Sequence, residues 1–261
     1  MRIEFLTQED PLYILPFFQE FLSNYASDFT ILQISCSPTM GSRSRRKMLH
    51  ELTALYGPVG MARLLAISAA SKVLGKIPRH RGASGFYGVK QIANAYSIPY
   101  KAIGNPNDGE FVESVRQRRA DVLVSVACPY VLKTDLLTIP PRGCVNIHHA
   151  PLPHYKGMMP TFWQMYHGEK TLGVTVHFMA VKIDEGEALL QEKITIQPGE
   201  TLHELIRKSK RHGAHCMARA LHQVESNNLV LTPLNVGKGS YFTFPTIEEI
   251  REFRRRGFRS I

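Results

Sequence analysis

The sequence predicts an α/β fold, with a Rossmann-like, mostly parallel sheet, a helical insertion and a short C-terminal extension. Three observations support this. The first 35 residues show the pattern of strand, helix and strand that builds parallel sheets. Residues 121–127 (DVLVSVA) form an almost continuous apolar run, as expected of a central strand covered on both faces. Polar residues gather at the end of the next predicted strand, 143–148, where open α/β sheets bind their ligands.

The other elements follow in order along the chain. Strands are predicted at residues 2–7, 29–35, 100–103, 121–127, 143–148, 173–178 and 188–196, and helices at residues 12–25, 89–96, 110–119 and 201–227. Thr201 and Glu204 form a capping-box pattern at the start of the last helix. Beyond it we expect a short strand at 229–234 and a basic helix near the end. No G-x-G-x-x-G follows the first strand, so the usual dinucleotide site is not expected.

The insertion, at about residues 38–87, has two parts. It begins with a basic cluster made of Arg43, Arg45, Arg46 and Lys47. Residues 52–74 are apolar with helical spacing, and Gly57 and Pro58 interrupt them, which predicts two helices rather than one. Within it, the mostly apolar residues from Gly60 to Leu74, interrupted by Arg63 and Lys72, are too few and too charged to span a bilayer. We expect a helix pair in the core or a cap over the active site, with peripheral membrane contact as the alternative.

Composition limits the classes of partner and compartment. Lys and Arg number 32 against 22 Asp and Glu, and the net charge of +10 favours anionic partners such as nucleotide phosphates, RNA or an acidic membrane surface. No run of 18 apolar residues and no signal-peptide pattern occurs, so a cytoplasmic protein without a transmembrane segment is expected. The four cysteines are scattered and predict neither a disulfide framework nor a zinc site.

Candidate catalytic residues lie in the segment NIHHAPLPHYKG, which starts at Asn146. Side chains two apart in a strand share a face, so Asn146 and His148 point to the same side. An amide donor beside an imidazole suits acyl transfer, which needs a proton acceptor and donors for the oxyanion. Downstream, Asp184 begins a D-E-G turn from which a carboxylate could reach the imidazole. His177 and Thr175 are interpreted as structural strand residues.

The separate motifs between about residues 121 and 191 agree with one family in order and spacing. They are DVLVSVA, GCVNIHHAPLPHYKG, GVTVHFM and DEGEALLQ. In these motifs the chain resembles the folate-dependent formyltransferases, which include methionyl-tRNA, glycinamide ribonucleotide and nucleotide-sugar N-formyltransferases. The resemblance implies 10-formyltetrahydrofolate as formyl donor and Asn146, His148 and Asp184 as a catalytic triad.

The resemblance also implies where the pterin binds. It lies against the backbone of two loops formed by Cys128, Pro129, Tyr130, Val131, Lys182, Ile183 and Asp184. No metal site is expected, since adjacent histidines on a strand face opposite sides and no compact ligand pattern completes them. Residues 1–200 are interpreted as the catalytic domain, and residues 201–261 as a long helix with a short extension.

The expected activity is formyl transfer to an amine acceptor, and the acceptor remains open. A phosphorylated or lipid-linked amino sugar is the first expectation, with the basic cluster meeting its phosphate. Few residues follow the long helix, which disfavours tRNA as acceptor, although methionyl-tRNA formyltransferase is an alternative. Hydrolysis of formyltetrahydrofolate and a non-catalytic basic RNA-binding protein are the others.

Overall fold

The centre of the protein is a seven-stranded sheet, described by a computed structural model that covers residues 1–38, 44–83 and 85–261. Its strands are β1 (Arg2–Gln8), β2 (Thr30–Ser37), β3 (Tyr100–Ala102), β4 (Val122–Val126), β5 (Cys144–His148), β7 (Thr171–Phe178) and β8 (Ala188–Thr195). Their order is β3-β2-β1-β4-β5-β7-β8. The first five are parallel, whereas β7 and β8 pair antiparallel at one edge. The predicted α/β, Rossmann-like fold is confirmed.

Helices cover both faces of this sheet. They are α1 (Leu15–Tyr25), α2 (Arg45–Leu74), α3 (Val89–Ala95), α4 (Gly109–Arg118), α5 (Thr134–Leu137), α6 (Pro160–Tyr166), α7 (Leu202–Glu225) and α8 (Ile247–Arg255). One core lies between the sheet and α1, α3 and α7, where Phe5 meets Phe21 edge to face at 5.1 Å. A second lies on α4, around Phe111 and Leu123. The predicted capping box of Thr201 and Glu204 begins α7.

The C-terminal extension differs from its prediction. Residues 229–234 do not form a strand, and only Thr232 pairs there, in an isolated bridge with Ala188. The next residue is Pro233, whose ring fixes φ at about −65°, away from the φ of an antiparallel strand. Instead, a two-residue strand, β9 (Tyr241–Phe242), pairs with β6 (Lys156–Gly157) in the loop after β5. The extension therefore packs against the loop that follows the candidate catalytic strand.

Helix α2 bends at Gly57, as the Gly-Pro pair predicts. Gly57 has φ 71° and ψ 169°, a backbone conformation open to glycine, and it divides α2 into two helical segments. Pro58 cannot donate to the carbonyl of Ala54, and Arg254 of α8 donates to it instead. The first segment packs through Leu55 and Tyr56 into a third core under α6 and α8. The two predicted helices are present.

The bend generates a prediction about stability. We expect Gly57→Ala to lower the free energy of unfolding by about 1–3 kcal/mol, because a Cβ is strained at this φ and ψ even though no atom lies within 4 Å of it. Gly109→Ala is the matched control, since its Cβ also meets open space but its φ is not positive. That variant should be neutral or stabilising by up to about 1 kcal/mol. Urea unfolding of both variants measures the difference, and equal stabilities would contradict the strain at Gly57.

Candidate active site

A cavity of about 500 Å³ opens at the carboxyl edge of the sheet, around the ends of β1 and β4. The strand order reverses at this point, because the chain runs outward from β1 in one direction and from β4 in the other. Such switch points hold ligands in open α/β sheets. The wall contains all the residues of the two loops in which cofactor contact was expected: Cys128, Pro129, Tyr130, Val131, Lys182, Ile183 and Asp184. Asn146 also lines it.

A hydrogen bond between β5 and β7 orients the Asn146 amide. The antiparallel register places Asn146 directly opposite His177, and Asn146 Nδ2 lies 3.2 Å from His177 Nε2. The other ring nitrogen of His177, Nδ1, lies 2.8 Å from the Phe178 carbonyl, which can only accept, so Nδ1 carries the proton. Burial lowers the pKa of His177, against the opposing charge of Asp184. Neutral His177 therefore accepts from Asn146 and leaves the second amide hydrogen for the cavity.

His148 lies behind this pair rather than in the cavity wall. Its Nε2 donates to the carbonyl of Tyr155 at 2.8 Å, and its Nδ1 faces Asp184 Oδ2 at 3.6 Å. The ring is buried. The three residues predicted as a triad are thus brought together, but an unpredicted second imidazole, His177, stands between Asn146 and Asp184. The signal was present as T-V-H in β7, where Thr175 and His177 share a strand face as Asn146 and His148 do.

Asp184 reaches both imidazoles from the turn between β7 and β8. Its Oδ1 lies 3.7 Å from His177 Nε2, and its Oδ2 accepts from the Gly157 N–H at 3.3 Å. Its φ of 54° is left-handed, which allows the turn to close sharply. Gly186 completes this turn: a Cβ there would lie 1.8 Å from the Phe178 carbonyl oxygen. A glycine is therefore needed at position 186 for this turn to bring the carboxylate back to the end of β7.

The loop after β5 is held by side chains of β7 and β8. The hydroxyl of Thr175 donates to the Ala150 carbonyl at 2.7 Å and accepts from the Leu152 N–H at 3.1 Å. Gln191 Nε2 donates to the Leu152 carbonyl at 2.7 Å. These bonds fix the course of the chain toward Tyr155, whose carbonyl orients His148. Thr175 thus positions the site without lining the cavity.

His149 faces the opposite side of the sheet. Its Nδ1 is hydrogen-bonded to the Ser209 hydroxyl of α7 at 2.7 Å, and its Nε2 is buried with no hydrogen-bond partner among the described residues. Burial holds the pKa of His149 well below its usual range, and the nearby charge of Lys210 lowers it further. His149 is a neutral core residue.

One group among the described residues has the spacing of metal ligands. Glu192 on β8 and His212 and Cys216 on α7 present their donor atoms within 4.8 Å of one another. Glu192 also forms an ion pair with Arg219 and a 2.8 Å bond to His212 Nε2, so its charge is already compensated within the protein. None of these residues lines the cavity.

Comparison with known proteins places this geometry in a family. The profile of the family described as Formyl transferase matches residues 73–221, more than half of the chain. The chain belongs to this family. Curated relatives include the methionyl-tRNA formyltransferases of Desulforamulus reducens, 31% identical over 153 residues, and Acetivibrio thermocellus, 34% identical over 145 residues. These matches cover 59% and 56% of this chain and 48% and 47% of those proteins. The chain matches about half the length of these relatives.

Solved structures share the fold. Glycinamide ribonucleotide transformylase 1 from Symbiobacterium toebii superposes with a TM-score of 0.62 at 17% identity, covering 90% of this chain and 94% of that one. A sugar N-formyltransferase from a Shewanella species gives a TM-score of 0.58 at 16% identity, covering 98% and 87%. At these sequence identities the similarity shows a shared fold and nothing about the acceptor.

The buried histidine predicts how stability depends on pH. Unfolded His149 takes up a proton as the pH falls below about 6.5, whereas folded His149 stays neutral, so protonation favours unfolding. The free energy of unfolding should fall by up to about 1.4 kcal/mol per pH unit for this site. Urea unfolding between pH 7.5 and 5 (the range around the ordinary histidine pKa) should show a steeper decline for the native chain than for His149→Gln. Parallel declines would show that His149 does not titrate in this way.

Proposed function

We propose that this protein transfers a formyl group from 10-formyltetrahydrofolate to a primary amine. One observation carries the proposal: a single cavity is walled by both of the expected folate loops and by Asn146, His177 and Asp184. The apolar side chains of Met158, Met179 and Ile183 in the same wall suit the flat ring of a pterin. Membership of the formyl transferase family supports the reaction class.

Each residue of the site has a separate role in acyl transfer. The amine attacks the formyl carbon, and the amide hydrogen of Asn146 that His177 leaves unused donates to the developing oxyanion. Asp184, which reaches the cavity, takes the proton that the attacking nitrogen loses, and His148 Nδ1 shares the proton with it. The proton then passes to the departing nitrogen of the donor. The tetrahedral species then collapses, which restores the carbonyl and breaks the bond between the formyl carbon and that nitrogen, with no covalent enzyme intermediate.

The acceptor we propose is a small phosphorylated or lipid-linked amino sugar. The net charge of +10 favours an anionic acceptor, and Lys182 stands exposed at the cavity rim. The expected contribution of the insertion is not supported: no described residue of 44–83 lines the cavity, including Arg46 and Lys47. Arg43 lies outside the described residues. A phosphate would therefore be met by Lys182 rather than by the described residues of the basic cluster.

Methionyl-tRNA is the second candidate acceptor, because the curated relatives that share about half their length with this chain carry that name. A single experiment separates the candidates. The purified protein is incubated with 10-formyltetrahydrofolate and either an amino-sugar nucleotide, an amino-sugar phosphate, glycinamide ribonucleotide or charged initiator tRNA. Mass spectrometry then detects the gain of one CO unit on the acceptor.

Formylation of an amino sugar supports the proposal, and efficient formylation of tRNA alone would replace the acceptor. Release of formate without an acceptor would instead favour the hydrolase alternative. An intact donor under every condition would leave the non-catalytic RNA-binding alternative.

Substitutions test the division of roles. We expect Asn146→Ala to lower kcat by about 10²–10³-fold, because an oxyanion donor is lost.

His148→Ala should lower kcat by about 10²–10⁴-fold, because a proton-holding group is lost. Asp184→Asn should lower kcat and shift its pH profile, with little change in folate affinity. His154→Ala is the control, since His154 is exposed and lies outside the cavity wall. Normal turnover in a folded His148→Ala protein would remove His148 from the mechanism.

A further inference from the structure

The second segment of α2, residues 58–74, packs on the protein through a narrow stripe. Its buried residues are Gly60, Met61, Leu64 and Ser71, which recur at helical spacing on one side. A Cβ at Gly60 would lie 3.1 Å from the side chain of Ile261, so the helix and the chain end are in close contact. At the far end, Gln91 Nε2 of α3 donates to the Leu74 and Ile77 carbonyls at 2.9 and 2.6 Å. The segment is therefore fixed at both ends.

The opposite side of this segment is apolar and exposed. A stripe with i, i+3, i+4 and i+7 spacing runs along it through Val59, Ala62, Ala66, Ala70 and Val73. Val59 is 83% exposed and Val73 67%, and Leu65 beside them is 52% exposed. Exposed apolar side chains that form one contiguous surface mark a site of interaction with a protein or a membrane. This exposed stripe and Leu65 together form the apolar face of α2.

The charged side chains that the segment itself carries are all basic. No acidic residue occurs between Glu51 and Asp108. Arg63, Lys72 and Lys76 are exposed in or beside the segment. Long basic side chains beside an apolar helix face can keep their charges at a polar boundary while their stems cover apolar surface. An apolar stripe on a segment whose own charges are all basic complements the surface of an acidic bilayer, where both features contribute to binding.

We propose that the apolar face of α2 binds an acidic membrane surface, with the helix lying in the plane of the interface. By length and composition, Arg46–Leu74 is the one candidate span among the described residues. Gly57 breaks it into two segments, and the second is pinned to the rest of the fold by Ile261 and Gln91. A surface position keeps those contacts, whereas crossing the bilayer would remove them. This proposal does not depend on the identity of the acceptor.

Vesicle flotation of the full chain tests the proposal. The protein should float with vesicles in which about a third of the lipid is phosphatidylglycerol, and should remain below vesicles of phosphatidylcholine alone. Leu65→Gln with Val73→Gln keeps helix-forming residues at exposed positions and should weaken binding by more than about 10-fold. Lys72→Gln with Lys76→Gln should weaken binding by about 30-fold, since each basic residue contributes about fivefold near an acidic surface.

Val230→Gln is the matched control, because Val230 is an exposed valine outside α2 and should float like the native chain. Equal flotation with neutral vesicles, or native binding by the Leu65 and Val73 variant, would overturn the proposal. So would light scattering that shows a dimer without lipid and a monomer for that variant, because a second copy would then cover the apolar face. Formyl transfer by the variants is measured separately, so that loss of membrane binding and loss of activity are distinguishable.

Discussion

The antiparallel pairing of β7 with β5 is the constraint on which the rest of the site depends. Its register sets His177 opposite Asn146 and Thr175 opposite His148. Side chains directly opposite in such a pair lie about 4.5–5.5 Å apart at Cβ, close enough for an amide and an imidazole to bond. A slip of one residue would turn every one of these side chains to the other face of the sheet. The register is thus as much a part of the site as the residues themselves.

The same pairing brings a carboxylate to two imidazoles. Because β7 runs antiparallel to β5, away from the carboxyl edge of the parallel strands, the chain must turn back after β7 to form β8. The tight turn closed by Gly186 places Asp184 between His148 and His177. Buried polar groups are costly unless their hydrogen bonds are satisfied. Here one nitrogen of each ring donates to a backbone carbonyl, of Tyr155 or Phe178, which fixes the proton on that nitrogen. The remaining nitrogen of each ring faces Asp184.

The insertion packs on the rest of the protein with one side and exposes the other. Its first segment contributes Leu55 and Tyr56 to a core, and Arg254 satisfies the carbonyls left without donors at the bend. Its second segment gives only a narrow stripe to the protein and leaves a wider apolar face exposed. The insertion is therefore integrated into the fold on one side while carrying a surface of its own. The cavity, which lies at the carboxyl edge of the sheet, draws no described residue from it.

Much of the architecture could be predicted from the sequence. Apolar runs and their periods gave the seven main strands and the long helices to within a few residues, and the Gly57–Pro58 pair gave the bend in α2. The four-residue helix α5 and the pairing of the two-residue strands β6 and β9 were missed, since so few residues carry too little periodic signal. The strand expected at 229–234 was wrong: only Thr232 pairs there, and the ring of Pro233 fixes a φ that does not suit an extended strand.

For the site, the sequence by itself predicted that Asn146 and His148 share a strand face and that Asp184 lies in a turn, because alternation along a strand and a D-E-G turn are local properties. Their role as a triad is what the resemblance to the formyltransferases implies. Only the tertiary structure decided that His177 shares the site, that His148 turns toward the Tyr155 carbonyl, and that the insertion lies away from the cavity. These outcomes depend on which strand pairs with which, and in what register. That pairing is set by hydrogen bonds and burial between segments far apart in the chain, which no local pattern records.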